Sequence, residues 1–255
     1  ENFKTETEDA FRRNPVRPAA MAGRSYPSDP AELRAMLDEL FRQTDGAKLS
    51  WNESGRAVVG VVSPHIDFAR GGVTYVPSYR ALENSDADTY VVFGVAHSGG
   101  ETPLVPTRKA FETPLGRVDA DSDILDRLES KLSENGGRRN IYSGEFAHAH
   151  EHSIEFQLVF LQYVRSRMPQ PKPFKIVTVL CAFSHRELSL ELAAPDAGPI
   201  RSFLNALKES VADSGRKTVY IAGVDFAHVG AQFGDRHPIL ENELAQLREK
   251  DLQMM

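Results

Sequence analysis

Three apolar runs that each lead toward a histidine constrain the fold of this chain more than any other feature. They occupy residues 58–62, 91–95 and 219–224. They are followed by His65, His97 and His228, respectively. Runs of this kind, rich in β-branched and aromatic residues and bounded by glycine or proline, are typical of strands buried on both faces of a sheet. Because parallel α/β sheets bind ligands beyond the carboxyl ends of their strands, we predict that the three imidazoles lie at one edge of one sheet.

The rest of the chain alternates predicted strands with predicted helices. A fourth apolar run covers residues 174–180, and apolar residues recur at helical spacing in 30–41, 122–132, 153–164, 199–212 and 239–252. This alternation predicts an α/β fold with a mainly parallel, doubly wound central sheet and helices on both faces. We expect the polar residues 1–15 to be a flexible N-terminal arm, residues 16–255 to form a single domain, and residues 111–116 to be a loop.

Composition excludes several classes of protein. The formal net charge of −6 argues against a general nucleic-acid binder, which normally presents a basic surface. The single cysteine, Cys181, permits neither an intrachain disulfide nor a cysteine-rich zinc site. Neither a secretory signal nor an apolar run of membrane-spanning length is visible in the sequence, so we expect a cytoplasmic protein without a membrane partner.

Five side chains are expected to converge at the sheet edge, namely His65, His97, His152, Asp225 and His228. Neutral imidazole is a good ligand for iron, copper, nickel or zinc, and two histidines plus one anionic ligand leave positions open for substrate and oxygen. Histidine also serves as a general acid or base at neutral pH. Asp225 could be a third ligand or could orient an imidazole. The residues alone do not separate metal ligands from groups that move protons.

A histidine-rich tract surrounds one of these side chains. His148, His150 and His152 alternate with other residues, and an extended chain would place all three on one face. Such tracts can bind metal on composition alone. We favour a solvated loop for His148 and His150, and we place His152 in the site.

Four short blocks resemble the signature of the Memo-like family. They are Pro64-His65, Gly94-x-x-His97-Ser98, residues 151–155 and Asp225-Phe226-x-His228-x-Gly230, and residues 17–26 resemble the N-terminal block. The resemblance, which includes the AmmeMemoRadiSam system protein B type, runs from about Val16 to Asp235. That family is similar in fold to the class III extradiol (LigB-like) ring-cleaving dioxygenases.

The resemblance implies roles for the converging side chains. It implies that His65 and His97 bind the metal and that His228 occupies the position of the dioxygenase acid/base histidine. His152 would line the same pocket, with Asp225 beside it.

The sequence departs from the family pattern at one position. The third ligand of Memo-like proteins is a cysteine far toward the C-terminus, where the dioxygenases carry a glutamate. The chain stops at Met255, before that block, and Cys181 lies in a different predicted strand. We therefore expect the domain to lack its C-terminal part. A thiolate ligand would shift the preference toward softer metals such as Cu(I).

The resemblance implies a metal-binding, dioxygenase-like redox enzyme that uses iron or copper. His228, His152 and Asp225 would be its catalytic groups, and His65 and His97 its metal ligands. One alternative is a hydrolase in which zinc activates a water molecule. Another is a non-catalytic module that holds a peptide or a small molecule in the same pocket. The substrate and the oligomeric state do not follow from the sequence.

Overall fold

The computed structural model describes residues 2–45, 57–134, 140–183, 198–225 and 229–254. The strands are β1 (Val16–Arg17), β2 (Gly60–Ser63), β3 (Thr89–Val95), β4 (Leu104–Thr107), β5 (Ala110–Thr113), β6 (Gly116–Val118), β7 (Lys175–Cys181) and β8 (Thr218–Gly223). The α-helices are α1 (Asn2–Arg13), α2 (Pro30–Arg42), α3 (Phe68–Gly71), α4 (Val76–Arg80), α5 (Ser122–Glu134), α6 (Ser153–Ser166), α7 (Pro199–Ser214) and α8 (Glu241–Met254). Short 3-10 helices cover Gly72–Tyr75, Glu145–His148 and Ala231–Phe233.

The larger sheet has five strands in the order β2-β8-β3-β7-β4. The first four strands are parallel, and β4 runs antiparallel to β7 at the edge. The strand order is not the chain order, as expected where helices connect parallel strands. The prediction of an α/β fold with a mainly parallel sheet is therefore confirmed.

Helices cover both faces of this sheet. Successive side chains of a strand point to opposite faces, and Tyr90 and Val92 of β3 belong to a core cluster with residues of α2, α4 and α6. Val91 belongs instead to a second cluster with residues of α5 and α7. Helix α2 begins after Asp29, whose carboxylate accepts hydrogen bonds from the N–H groups of Ala31 and Glu32.

The first predicted strand differs from our expectation of a strand buried on both faces. Among the described residues, β2 pairs with β8 alone and forms an edge of the sheet. The valines at this edge are exposed to solvent. Val62 in β2 is 44% exposed, and Val59 just before the strand is 74% exposed. An apolar run predicts a strand, but it does not reveal the position of that strand in the sheet, which depends on pairing between distant segments.

The predicted loop at residues 111–116 is wrong, because β5 and β6 form an antiparallel hairpin there. Strand β1 pairs in parallel with β5 and completes a three-stranded sheet. Phe111 is buried in the main core. The turn itself is limited to Pro114 and Leu115, and Gly116, with a φ of +123°, begins β6. A turn therefore lies within the predicted loop, but its flanking strands were not recognised.

Residues 1–15, which we expected to form a flexible arm, contain helix α1 instead. Phe11 packs edge-to-face on Phe146, with ring centroids 5.6 Å apart. The Lys109 ammonium donates a hydrogen bond to the Asn14 carbonyl over 2.6 Å. These contacts come from residues far along the chain, so local composition could not predict them. Among the described helices, none is long and apolar enough to cross a lipid bilayer.

Candidate metal centre

Three histidines from separate parts of the chain meet at the carboxyl edge of the larger sheet. His65 follows β2, His97 follows β3, and His152 immediately precedes α6. Their ring centroids are 5.1 Å (His65 to His97), 5.5 Å (His65 to His152) and 4.7 Å (His97 to His152) apart. One nitrogen from each ring lies within 4.8 Å of those of the other two, so the group could hold a metal ion. These three are among the five side chains that we predicted to converge, and they do lie together.

A glycine in β3 permits the close approach that brings His152 beside His97. A Cβ atom on Gly94 would lie 2.5 Å from Ser153 Oγ and 2.7 Å from Ile154 Cγ1. The Ser153 hydroxyl accepts a hydrogen bond from the Val95 N–H and donates one to the Val95 carbonyl, each over 3.0 Å. The first turn of α6 is therefore fixed directly on the end of β3.

Glu151 holds two of the three histidines. Its carboxylate accepts hydrogen bonds from the backbone N–H groups of His97 (2.9 Å), His152 (2.7 Å) and Ser153 (2.9 Å). Glu151 Oε1 also lies 3.0 Å from His97 Nδ1 and 3.2 Å from His152 Nδ1. When an imidazole gives its Nδ1 proton to a carboxylate, its Nε2 lone pair is left for a metal.

The ionisation of Glu151 supports this orienting role. Burial alone would raise the pKa of Glu151, but hydrogen bonds from the N–H groups of Ser153 and His97, together with the His97 ring, outweigh burial and lower the pKa. The side chain is therefore a carboxylate at neutral pH. Sequence analysis assigned no role to Glu151; its place directly before His152, at the predicted start of a helix, was the available signal.

His65 is the most deeply buried of the three imidazoles. It is 2% exposed, and its Nδ1 lies 3.2 Å from the Gly223 carbonyl at the end of β8. A carbonyl oxygen only accepts, so this contact assigns a proton to Nδ1, and in the neutral ring Nε2 has the lone pair. Asp225 Oδ2 lies 3.0 Å from this Nε2, yet within the described residues Nε2 makes no aligned hydrogen bond. A buried, unbonded lone pair inside a histidine cluster fits a metal ion.

His152 favours the neutral form that a metal ligand requires. Burial lowers its pKa, and the nearby rings of His97 and His65 lower it further, against the opposing effect of Glu151. His97 lies on the solvent-exposed side of the cluster, with 45% of its side chain exposed. The cluster is thus accessible from solvent on one side.

Other residues considered at the sequence level are not part of the described cluster. His228 falls outside the described residues, so its predicted role stays a prediction. His148 and His150 lie outside the histidine cluster, as we favoured, but His148 is buried rather than solvated, with Nε2 2.8 Å from the Val105 carbonyl. Burial raises the pKa of the Cys181 thiol to about 12, and Cys181 is not among the clustered donors.

The N-terminal segment contacts the turn that carries Glu151, next to the cluster. The fully buried Arg17 donates hydrogen bonds to the carbonyls of His148 (3.0 Å) and Glu151 (2.6 Å), and its guanidinium pairs with the buried Glu155. Glu155 also accepts hydrogen bonds from the Met21 N–H (2.9 Å) and from the Tyr26 hydroxyl. The turn that carries Glu151 is therefore held by a buried charge pair.

A pocket of about 690 Å³ opens beside the cluster. Its polar lining includes His65, His152 and Asp225, and its apolar lining includes Phe156 and Val224. This volume lies within the ordinary range for small-molecule sites, and such sites usually combine an apolar wall with a few polar groups.

Comparison with known proteins shows that this chain is similar to members of one family. Residues 17–255 match the family described as Memo-like protein. A MEMO1 family protein of Methanosarcina mazei is 32% identical over 213 residues, which cover 84% of this chain and 67% of the relative. One of Pyrococcus furiosus is 33% identical over 221 residues, covering 86% of this chain and 67% of the relative. One of Aquifex aeolicus is 26% identical over 235 residues, covering 92% of this chain but 54% of the relative.

Proposed function

Because the chain belongs to the Memo-like protein family, we propose that it is a metal-binding, dioxygenase-like redox enzyme. His65, His97 and His152 would hold one iron or copper ion. The observation that carries the proposal is the inward convergence of three imidazoles. Each Nδ1 lies within 3.2 Å of a carboxylate or a carbonyl oxygen, which leaves the opposite nitrogens as donors.

The chain's own residues would divide the work as follows. Glu151 holds the rings of His97 and His152 in orientation. Asp225 Oδ2, 3.0 Å from His65 Nε2, would complete the ligand set or accept a proton from a bound substrate. His228 would be the general acid or base, as the family resemblance implies. A bound iron or copper ion would supply redox chemistry to a substrate in the adjoining pocket.

A zinc hydrolase is the second candidate function. A set of three imidazoles is also a common catalytic zinc site, which keeps its fourth position for water. The exposed side of His97 would leave room for that water molecule. Under this alternative, any activity would be insensitive to oxygen and would be restored by zinc.

Metal analysis of protein purified without a histidine tag tests the proposal. We expect about one equivalent of metal in the wild type and a strong loss in His65→Ala, His97→Ala and His152→Ala. His150→Ala is the matched control, because His150 is exposed and outside the cluster. Unchanged metal content in His65→Ala and His97→Ala would refute the assignment of the ligands. Oxygen uptake with iron, copper and zinc forms then separates the redox enzyme from the hydrolase.

If the protein holds no metal and the histidine variants keep ligand binding, the non-catalytic module is the correct function instead. The apolar wall of the pocket, with Phe156 and Val224, makes that outcome chemically reasonable. The same set of variants therefore separates all three functions.

A further inference from the structure

The pocket beside the histidine cluster is lined by polar residues other than those of the cluster. Besides His65, His152 and Asp225, its lining includes Arg70 and Thr74. Apolar side chains, including those of Met21, Ile66, Phe156, Val224, Val229 and Phe233, make up most of the remaining lining. A ligand of complementary chemistry would have an apolar body and polar groups for these polar residues.

Arg70 is presented by a tightly packed segment. Its backbone N–H donates to the Asp67 carbonyl over 3.1 Å, and the Gly71 N–H donates to the same carbonyl over 2.9 Å. A Cβ atom on Gly71 would lie 2.4 Å from Ile66 Cγ2. The Tyr75 hydroxyl donates to the Ile66 carbonyl over 2.7 Å. The backbone that carries Arg70 is therefore held in place without any ligand.

The guanidinium of Arg70 makes no hydrogen bond or ion pair with any residue that the structure describes. Arg17, Arg80 and Arg108, in contrast, each pair with a carboxylate. The nearest acid along the chain, Asp67, uses one carboxylate oxygen to accept the Ala69 N–H over 3.0 Å. Arg70 is also the only lysine or arginine in the described lining of the pocket.

We propose that the pocket binds an organic carboxylate with an apolar body, whose carboxylate pairs with Arg70. This inference rests on the proposed function in one respect, because the other end of the ligand would face the metal held by the histidines. Arginine presents a planar fork of donors that matches both oxygens of a carboxylate. Asp67 and Asp225 line the same pocket and would repel a doubly charged phosphate more strongly than a singly charged carboxylate.

Isothermal titration calorimetry with matched probes tests the proposal. The small-molecule probes are benzoate, 3-phenylpropionate and hexanoate, each compared with its neutral amide. The peptide probe is N-acetylglycylphenylalanine, compared with its C-terminal amide. We expect at least one carboxylate to bind the wild type about tenfold more tightly than its amide, as is reasonable for a charge-assisted pair that is partly open to water. Preference for the peptide or for a small acid identifies the source of the carboxylate.

Two variants make the test specific. Arg70→Gln should lose about tenfold in affinity for the carboxylate and nothing for the amide. Arg127→Gln is the control, because Arg127 lies on α5, away from the pocket, and pairs with Asp123. The inference is overturned if no carboxylate binds the wild type, if acid and amide bind equally, or if Arg70→Gln binds the acid as the wild type does.

The failure of this inference can be told apart from failure of the metal assignment. Metal content is measured on the same samples, and Arg70→Gln should retain it, since Arg70 is not one of the clustered donors. A protein without metal that still loses carboxylate affinity on Arg70→Gln would refute the proposed function and support the carboxylate site. A protein with normal metal content that binds the acid no better than the amide would support the proposed function and refute the carboxylate site.

Discussion

Replacement of Glu151 by glutamine is the sharpest test of how the histidine cluster is held. The carboxylate accepts from three backbone N–H groups and lies against the Nδ1 atoms of two rings. Glutamine has the same shape but only one accepting oxygen, and its NH2 group would face N–H donors. If the amide oxygen takes the place of Oε1, it still serves His152, Ser153 and the His97 ring, but the amide nitrogen then faces the His97 N–H. One charge-assisted hydrogen bond is then lost, and the others lose the charge of their acceptor.

The expected magnitude follows from this count. The lost hydrogen bond to a charged group contributes roughly 1.5–3 kcal/mol, and with the weakening of the remaining bonds we expect a loss of about 2–4 kcal/mol in the free energy of unfolding. Removing a partner that orients a metal-binding histidine typically weakens metal binding by about 10–100-fold. We therefore expect Glu151→Gln to lose both stability and metal affinity, measured by urea denaturation and by competition with a metal chelator.

Glu145→Gln is the matched control for this prediction. Its carboxylate accepts from the Thr107 hydroxyl and the Arg108 N–H, and it pairs with Lys109 over 3.3 Å, away from the histidines. This variant should lose stability while keeping its metal affinity. Our account of Glu151 would be refuted if Glu151→Gln lost stability to a similar extent but bound metal as tightly as the wild type.

Three further predictions follow from the described contacts. Burial lowers the pKa of His148 from 6.5 to about 4. Because the unfolded state then binds the proton more readily, the contribution of neutral His148 to the free energy of unfolding is fully present above pH 6.5. It should fall by about 3 kcal/mol as the pH drops toward 4. His148→Gln should flatten this dependence in urea titrations. Gly94→Ala, whose Cβ would lie 2.5 Å from Ser153 Oγ, should cost about 1–3 kcal/mol in thermal melts, whereas Gly144→Ala, with no atom nearer than 3.4 Å, should cost less. Arg17→Lys should weaken metal binding about tenfold, while Arg165→Lys, a buried arginine that donates to Ser85, should leave it unchanged.

Much of the fold could be predicted because its signals are local. The apolar runs that became β3 and β7 are buried, and the proline after Asp29 marks the start of α2. The edge position of β2 and the hairpin of β5 with β6 could not be predicted. Both depend on which segments pair, and pairing between distant segments leaves no periodic pattern in either one.

The candidate site was predictable to a similar extent. His65 and His97 could be placed because each follows an apolar run, and parallel strands bring such positions to one edge. Glu151 was assigned no role, since its role depends on the docking of α6 against the end of β3 through Ser153. Arg17 likewise gains its role through tertiary contacts alone, where it binds the carbonyl of Glu151.

The buried contact between Arg17 and the turn before α6 has a consequence for the order of assembly. It joins residues 134 positions apart in the chain, and closing so long an intervening loop is entropically costly and slow compared with forming local helices. Secondary structure should thus form first, and the protein should become able to bind the metal ion only when the N-terminal segment docks. Metal uptake during refolding would then report completion of the native topology.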